Sequence, residues 1–86
     1  MNLYISIDRK NKPETVIKKQ LKEAKVKAEK EVGEELTVVD SVDKADCAWF
    51  VDEWEDDVEC YKEHEYCHRN NVKILHDKSE FWNRMK

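Results

Sequence analysis

Hydrophobic positions along the chain fall into four short dense runs and one long periodic stretch. Residues 2–7, NLYISI, are rich in β-branched and apolar types and predict a first strand. A polar loop follows over residues 8–12. Ile17, Leu21, Ala24, Ala28 and Val32 then recur at spacings of 4, 3, 4 and 4, which predicts an amphipathic helix ending near Val32. Asn11 and Glu14 have the spacing of a capping box, and Pro13 suits the first helical turn. Gly33, the chain's single glycine, stands where a left-handed C-terminal cap belongs.

Leu36–Val39 reads as a second short strand. Ser41–Ala45 reads as a connector of about one helical turn. Cys47–Val51, CAWFV, is a continuous apolar run, as expected of a strand covered on both faces. A helix over residues 58–69 and a strand over Val72–Leu75 come next. Residues 79–85, SEFWNRM, predict a short capping helix with Ser79 as its N-cap and Phe81, Trp82 and Met85 on its apolar side. The order is β-α-β-β-α-β-α, with a short or missing crossover between the second and third strands. Strands alternating with helices imply a parallel sheet with right-handed crossovers. No repeat or linker divides residues 1–86, so a single domain is expected.

Composition narrows the class. Charged residues make up 42% of the chain and mean hydropathy is -0.95, so the surface must be heavily charged. The hydrophobic share of 40% is still enough to fold, which argues against disorder. A chain of 86 residues builds a small core, and oligomerisation is a common remedy at that size. A net charge of -4 makes nucleic acid an unlikely partner. No signal-like or membrane-spanning run is present, so no membrane partner is expected. Three cysteines, an odd number without a secretory signal, imply reduced thiols and a cytoplasmic location.

Charge is divided unevenly. Lys18, Lys19, Lys22, Lys25, Lys27 and Lys30 crowd the first helix, while Asp52, Glu53, Glu55, Asp56, Asp57 and Glu59 crowd the loop before the second. Both runs read first as solvated surface. The lysines could instead meet a phosphate or a partner, and at least one loop carboxylate could do chemistry.

The segment from Ala45 to Leu75, ADCAWFVDEWEDDVECYKEHEYCHRNNVKIL, together with the opening LYIS, resembles the nucleoside 2-deoxyribosyltransferase-like family, in particular its small, often phage-encoded members. The resemblance implies a small Rossmann/flavodoxin-like α/β fold of three layers around a short, mainly parallel four-stranded sheet. It also implies a nucleophilic carboxylate at Glu63, a loop carboxylate six residues earlier at Asp57, and a first-strand hydroxyl, Tyr4, that holds the nucleophile. Asp46 matches a common Ala/Ser-Asp turn. The chain departs from the family where glycines usually let the backbone approach a sugar: Ser6-Ile7-Asp8-Arg9-Lys10 and Asp57-Val58-Glu59 contain none.

The residues themselves carry a compatible chemistry. Cys60, Glu63 and Cys67 share one helical face at spacings of 3 and 4. Exchange at an N-glycosidic bond needs a carboxylate to attack the anomeric carbon and a second group to handle the proton of the leaving base. Glu63 suits the first role, with Tyr4 orienting it. Asp57 suits a helix N-cap as well as a functional role. Ser6, Asp8, Arg9, Trp54 and Glu59 are the candidate ligand contacts, with Trp54 preferred over the strand residue Trp49 for stacking a base. Plainer alternatives stand beside these: a surface Glu63 paired with Lys62 or Arg69, and a Tyr4 that is simply core. Cys60, His64 and Cys67, with His68 beside them, could approach a zinc set, but paired C-x-x-C spacing is missing and buried free thiols are the ordinary reading, so no metal and no cofactor are expected.

Three functions compete. A small oligomeric protein, its subunits completing one another's pockets, could hold a nucleoside or nucleotide derivative. In a phage setting it would sequester a host nucleotide signal such as an ADP-ribose-type molecule. An N-glycosidic hydrolase or transferase could use Glu63 as nucleophile. An acidic interaction domain could exploit the nine acidic residues between Asp46 and Glu65.

Overall fold

Four parallel strands in the order β2-β1-β3-β4 form the centre of the molecule, with one long helix on each face. The computed structural model describes residues 1–10, 12–51 and 54–77. Its regular elements are β1 (Asn2–Ser6), α1 (Glu14–Val32), β2 (Thr37–Val39), β3 (Cys47–Phe50), α2 (Val58–Arg69) and β4 (Lys73–His76). The expected α/β class and element order hold across these residues. The expected C-terminal helix over residues 79–85 lies outside them.

Alternation along β1 and β3 divides the core in two. Leu3, Ile5 and Ile7 join Cys47, Trp49 and Val51 on one face, where Ile17, Ala24 and Ala28 of α1 cover them. Ala48 and Phe50 point to the other face and pack with Trp54, Cys60 and Cys67. The continuous apolar run of β3 therefore serves both layers, as a doubly covered parallel strand requires. At about 25 cal/mol per Å² of apolar surface, two such layers are the main favourable term in folding.

The ends of α1 differ in how they are made. Its N-cap is Pro13, whose carbonyl accepts from the Val16 and Ile17 N–H groups at 3.0 and 3.1 Å. The expected cap residue, Asn11, lies outside the described residues, and the helix starts after Pro13 rather than including it. At the other end Gly33 has φ +83° and donates its N–H to the Glu29 carbonyl at 2.8 Å, as expected of a left-handed cap.

Leu36 does not begin β2. Its N–H is taken by the Glu29 side chain at 2.8 Å and its side chain is buried at 2% exposure, so ladder pairing starts at Thr37. The short connection from β2 to β3 makes a 3₁₀ turn at Val42–Lys44 in place of a crossover helix. Asp46 then fastens this connection to the start of β1: its carboxylate accepts from the Asn2 N–H at 2.8 Å, and its own N–H donates to the Asn2 carbonyl at 2.9 Å. β4 starts one residue later than expected because the Val72 N–H still donates to the Cys67 carbonyl of α2 at 3.0 Å, and its register with β3 shifts between Ala48 and Trp49. That shift pairs Trp49 with His76, and the two rings stack at 4.5 Å.

Candidate functional site

Tyr4 and Ser6 are two apart on β1 and so project from the same face of the sheet, towards α2. Glu63, in the middle of α2, comes down between them. The Tyr4 hydroxyl donates to Glu63 Oε2 at 2.5 Å and the Ser6 hydroxyl donates to Oε1 at 2.7 Å. Each carboxylate oxygen thus has its own donor, and the group is fixed in rotation as well as position. Glu63 is half-buried and its hydroxyl partners replace the surface pairing with Lys62 or Arg69 that an exposed glutamate would make. Burial, reinforced by the hydrogen bond and the charge of Glu63, holds the Tyr4 phenol well above its usual range. The phenol is therefore a proton donor to Glu63 at neutral pH.

Asp57 caps α2. It is buried, one oxygen accepts from the Glu59 N–H at 3.1 Å, and the other accepts from the Cys60 thiol at 3.4 Å. Its carboxylate is thus engaged within the protein. Burial is the main cause that pushes the Cys60 thiol up to about 12 and the Cys67 thiol to about 11. Cys47 is raised too, again mainly by burial. All three are free, buried thiols, which makes them poor nucleophiles.

The expected ligand contacts separate. Ser6 is fully buried, at 0% exposure, and donates its hydroxyl to Glu63. Asp8 is also buried, and it shapes its loop by accepting from the Lys10 N–H at 2.9 Å. Glu59 is exposed on the first turn of α2, and among the described residues no hydrogen bond or ion pair links its carboxylate to Glu63, Tyr4 or Ser6. Trp54 needs a correction. It does not stand open in the loop: it is 1% exposed, donates its indole N–H to the Asp77 carbonyl at 2.7 Å, and stacks on His64 at 4.4 Å. A base has no free face there. His64, whose Nε2 lies 3.0 Å from an Asp77 carboxylate oxygen, belongs to the same packed cluster. Among the described residues no group of three or more His, Cys, Asp or Glu could hold a metal ion.

Arg9 is exposed on the loop after β1 and lines a cleft of about 230 Å³ with Tyr4, Ile5, Leu21, Val38, Val39 and Asp40. This cleft opens at the carboxyl ends of β1 and β2, next to the Tyr4 that holds Glu63. In a sheet ordered 2-1-3-4 the chain leaves β1 for one face and β3 for the other, so the crevice between those strands is the expected ligand position. Ser6 and Phe50 pair there, at the last residues of the two strands, whereas the Arg9 cleft lies on the β2 side of β1; Tyr4 links the two, lining the cleft and holding Glu63. A larger hollow of about 320 Å³ lies on the α1 face beside Trp49 and Lys27, but the smaller cleft is the better chemical candidate because Tyr4, which holds Glu63, lines it.

Neither protein-family models, nor curated proteins, nor solved structures contain a match to this chain. Among the described residues no helix is long and apolar enough to cross a membrane.

Proposed function

We propose that this protein binds a nucleoside or nucleotide derivative at the carboxyl edge of its sheet, with Tyr4, the partner of Glu63, in the wall of the cleft and Arg9 at its mouth. The observation that carries this reading is the double clamp of Tyr4 and Ser6 on Glu63 beside an open cleft. A carboxylate fixed at both oxygens is a preorganised acceptor for the hydroxyls of a ribose. An exposed guanidinium at the rim suits a phosphate. Asp40 opposite Arg9 leaves the mouth of mixed charge, which suits a ligand that is not a polyanion.

Sequestration is favoured over turnover by the state of Asp57. Both its oxygens are engaged, by the helix cap and by the Cys60 thiol, so Asp57 is not free to serve as the second group that glycosidic chemistry needs. In a phage-encoded protein such binding would withdraw a nucleotide signal of the ADP-ribose type from the host cytoplasm. A second copy of the chain would close the open side of the cleft.

N-glycosidic cleavage is the second reading, favoured by the orientation of Glu63 itself. There the carboxylate would attack the anomeric carbon as the C–N bond breaks. The base would leave with a proton, and water would hydrolyse the glycosyl ester.

The test is direct. The protein is incubated with nucleosides, nucleoside monophosphates and linear and cyclic ADP-ribose, and the solution is analysed by chromatography before and after heat denaturation. Intact ligand recovered only after denaturation is the expected result. Free base, abolished by Glu63→Gln, would replace binding by catalysis. No depletion of any of these compounds would sink both readings in favour of a protein partner for the acidic surface.

A further inference from the structure

Ser6 stands in an unusual position. Its hydroxyl is fully buried at the last residue of β1, yet it is spent on a carboxylate from the opposite layer rather than on its own backbone. Its neighbour in the floor is the Cys60 thiol, which turns its own proton to Asp57. A serine hydroxyl has one proton to donate. The Cys60 sulfur is a second acceptor within reach of that proton, but the charged Glu63 oxygen at 2.7 Å is the stronger one. The two oxygens of Glu63 therefore differ: Oε1 meets a buried donor below, and Oε2 meets Tyr4, which lines the cleft.

We infer that Ser6 is a positioning residue: it anchors Glu63 Oε1 in the floor so that the carboxylate keeps its other oxygen, Oε2, on Tyr4, the residue that lines the cleft. The inference rests on the reading of Glu63 as the ligand-facing group, but the orientation it describes is a property of the free protein. Tyr4 alone could not set it. A single hydrogen bond leaves the carboxylate free to pivot about that contact, whereas two donors at separate oxygens fix its plane. The Tyr4 and Ser6 side chains keep their spacing because both are carried by one strand, paired on both sides.

The experiment uses the full chain and two variants, Ser6→Ala and Ser6→Cys. Glutamate labelled with ¹³C gives a carboxylate infrared band for Glu63, isolated by subtracting the Glu63→Gln spectrum. Ser6→Ala is expected to shift and broaden that band, since one oxygen loses its donor. Ser6→Cys, which keeps a weak donor in the same place, is expected to restore part of the shift. Circular dichroism must show both variants folded. AMP is then offered to each. Ser6→Ala is expected to hold about tenfold to a hundredfold less AMP than the wild type, the order of loss that follows a misplaced functional group, with Ser6→Cys in between.

A Glu63 band unchanged in folded Ser6→Ala would overturn the inference. So would a shifted band with AMP retention equal to the wild type. If the wild-type protein itself leaves AMP untouched, the ligand reading fails on that probe, and the infrared band still decides whether Ser6 orients Glu63.

Discussion

Tyr4 and Glu63 meet at 2.5 Å although 59 positions separate them in the chain. The contact joins the middle of β1 to the middle of α2 and makes each residue a reporter of the other. Glu63→Gln removes the hydrogen bond to a charged group and the negative charge, two of the causes that raise the Tyr4 phenol, while burial stays. The expected outcome is that Tyr4 ionises at lower pH in Glu63→Gln than in the wild type, yet still above an exposed tyrosine. Ultraviolet absorbance of the phenolate, compared across the two proteins, measures it. Tyr4→Phe should lower stability by about 1–2 kcal/mol in denaturant titrations, within the range for a hydrogen bond to a charged group at a half-buried site. Identical phenolate titrations in wild type and Glu63→Gln would mean that the pair does not form in solution.

Trp54 supplies the second test. Its ring is wedged between Phe50 and His64, with the indole N–H on Asp77. Trp54→Phe should cost about 1–3 kcal/mol of stability, because the Asp77 carbonyl loses its donor and the cluster loses volume. Ligand retention should be unchanged once the folded fraction is allowed for. A variant that folds as well as the wild type but loses AMP or ADP-ribose would return Trp54 to the ligand site.

The contrast between Tyr4 and Trp54 shows where a sequence is readable. The period-4-and-3 stripe of α1, the glycine cap and the all-apolar β3 follow from local rules, and the fold is built from them. The pairing of Tyr4 with Glu63 is different, since no local rule links residues 59 apart; it was anticipated through a family resemblance. Ser6 carried a usable signal. Residues two apart on a strand share a face, so a serine beside Tyr4 must look at the same helix. Trp54 carried none: its position in an acidic segment reads as loop, and its burial depends on the end of β4 reaching it through Asp77. Asp57 was legible as a cap, but its second oxygen was not, because a thiol three residues along the helix has no fixed partner in sequence.

Gly33 separates fold from site. Its φ of +83° is a conformation that side chains resist, yet an added Cβ would meet nothing within 4 Å. The penalty for Gly33→Ala is therefore conformational alone, about 1 kcal/mol, and Gly33→Asn should lose less because asparagine tolerates that region. Thermal melts should rank wild type above Asn above Ala. The Tyr4 phenolate titration should not move in either variant, as the cap lies at the far end of α1 from the cleft. Equal stability of Ala and wild type would mean that the cap is remade in another way.

Arg9 tests the mouth of the cleft. An exposed guanidinium gains little from water-screened charge, but a phosphate held by directed hydrogen bonds gains more. Arg9→Ala should weaken binding of AMP about tenfold while leaving adenosine nearly unchanged, as read by equilibrium dialysis against each compound. An equal loss for both would place Arg9 in the shape of the loop rather than on the phosphate.

The thiols give a prediction about pH. Cys60 and Cys67 have ordinary values of 9.0 in an unfolded chain and are pushed up to about 12 and about 11 in the fold, chiefly by burial. A raised folded value means that the native state holds these protons more tightly than the unfolded state. The linked stability is complete below pH 9 and drains away as pH rises through 9 to 12. Denaturant midpoints should therefore fall steeply over that window. Cys67→Ala should be less stable at pH 7, having lost a buried side chain, but should show a shallower alkaline slope. At pH 7 all three thiols should resist iodoacetamide in the native protein and react once it is unfolded, since each is buried. Rapid alkylation of native Cys60 would be the most damaging outcome, because it would open to solvent the floor on which Ser6 and Asp57 are packed.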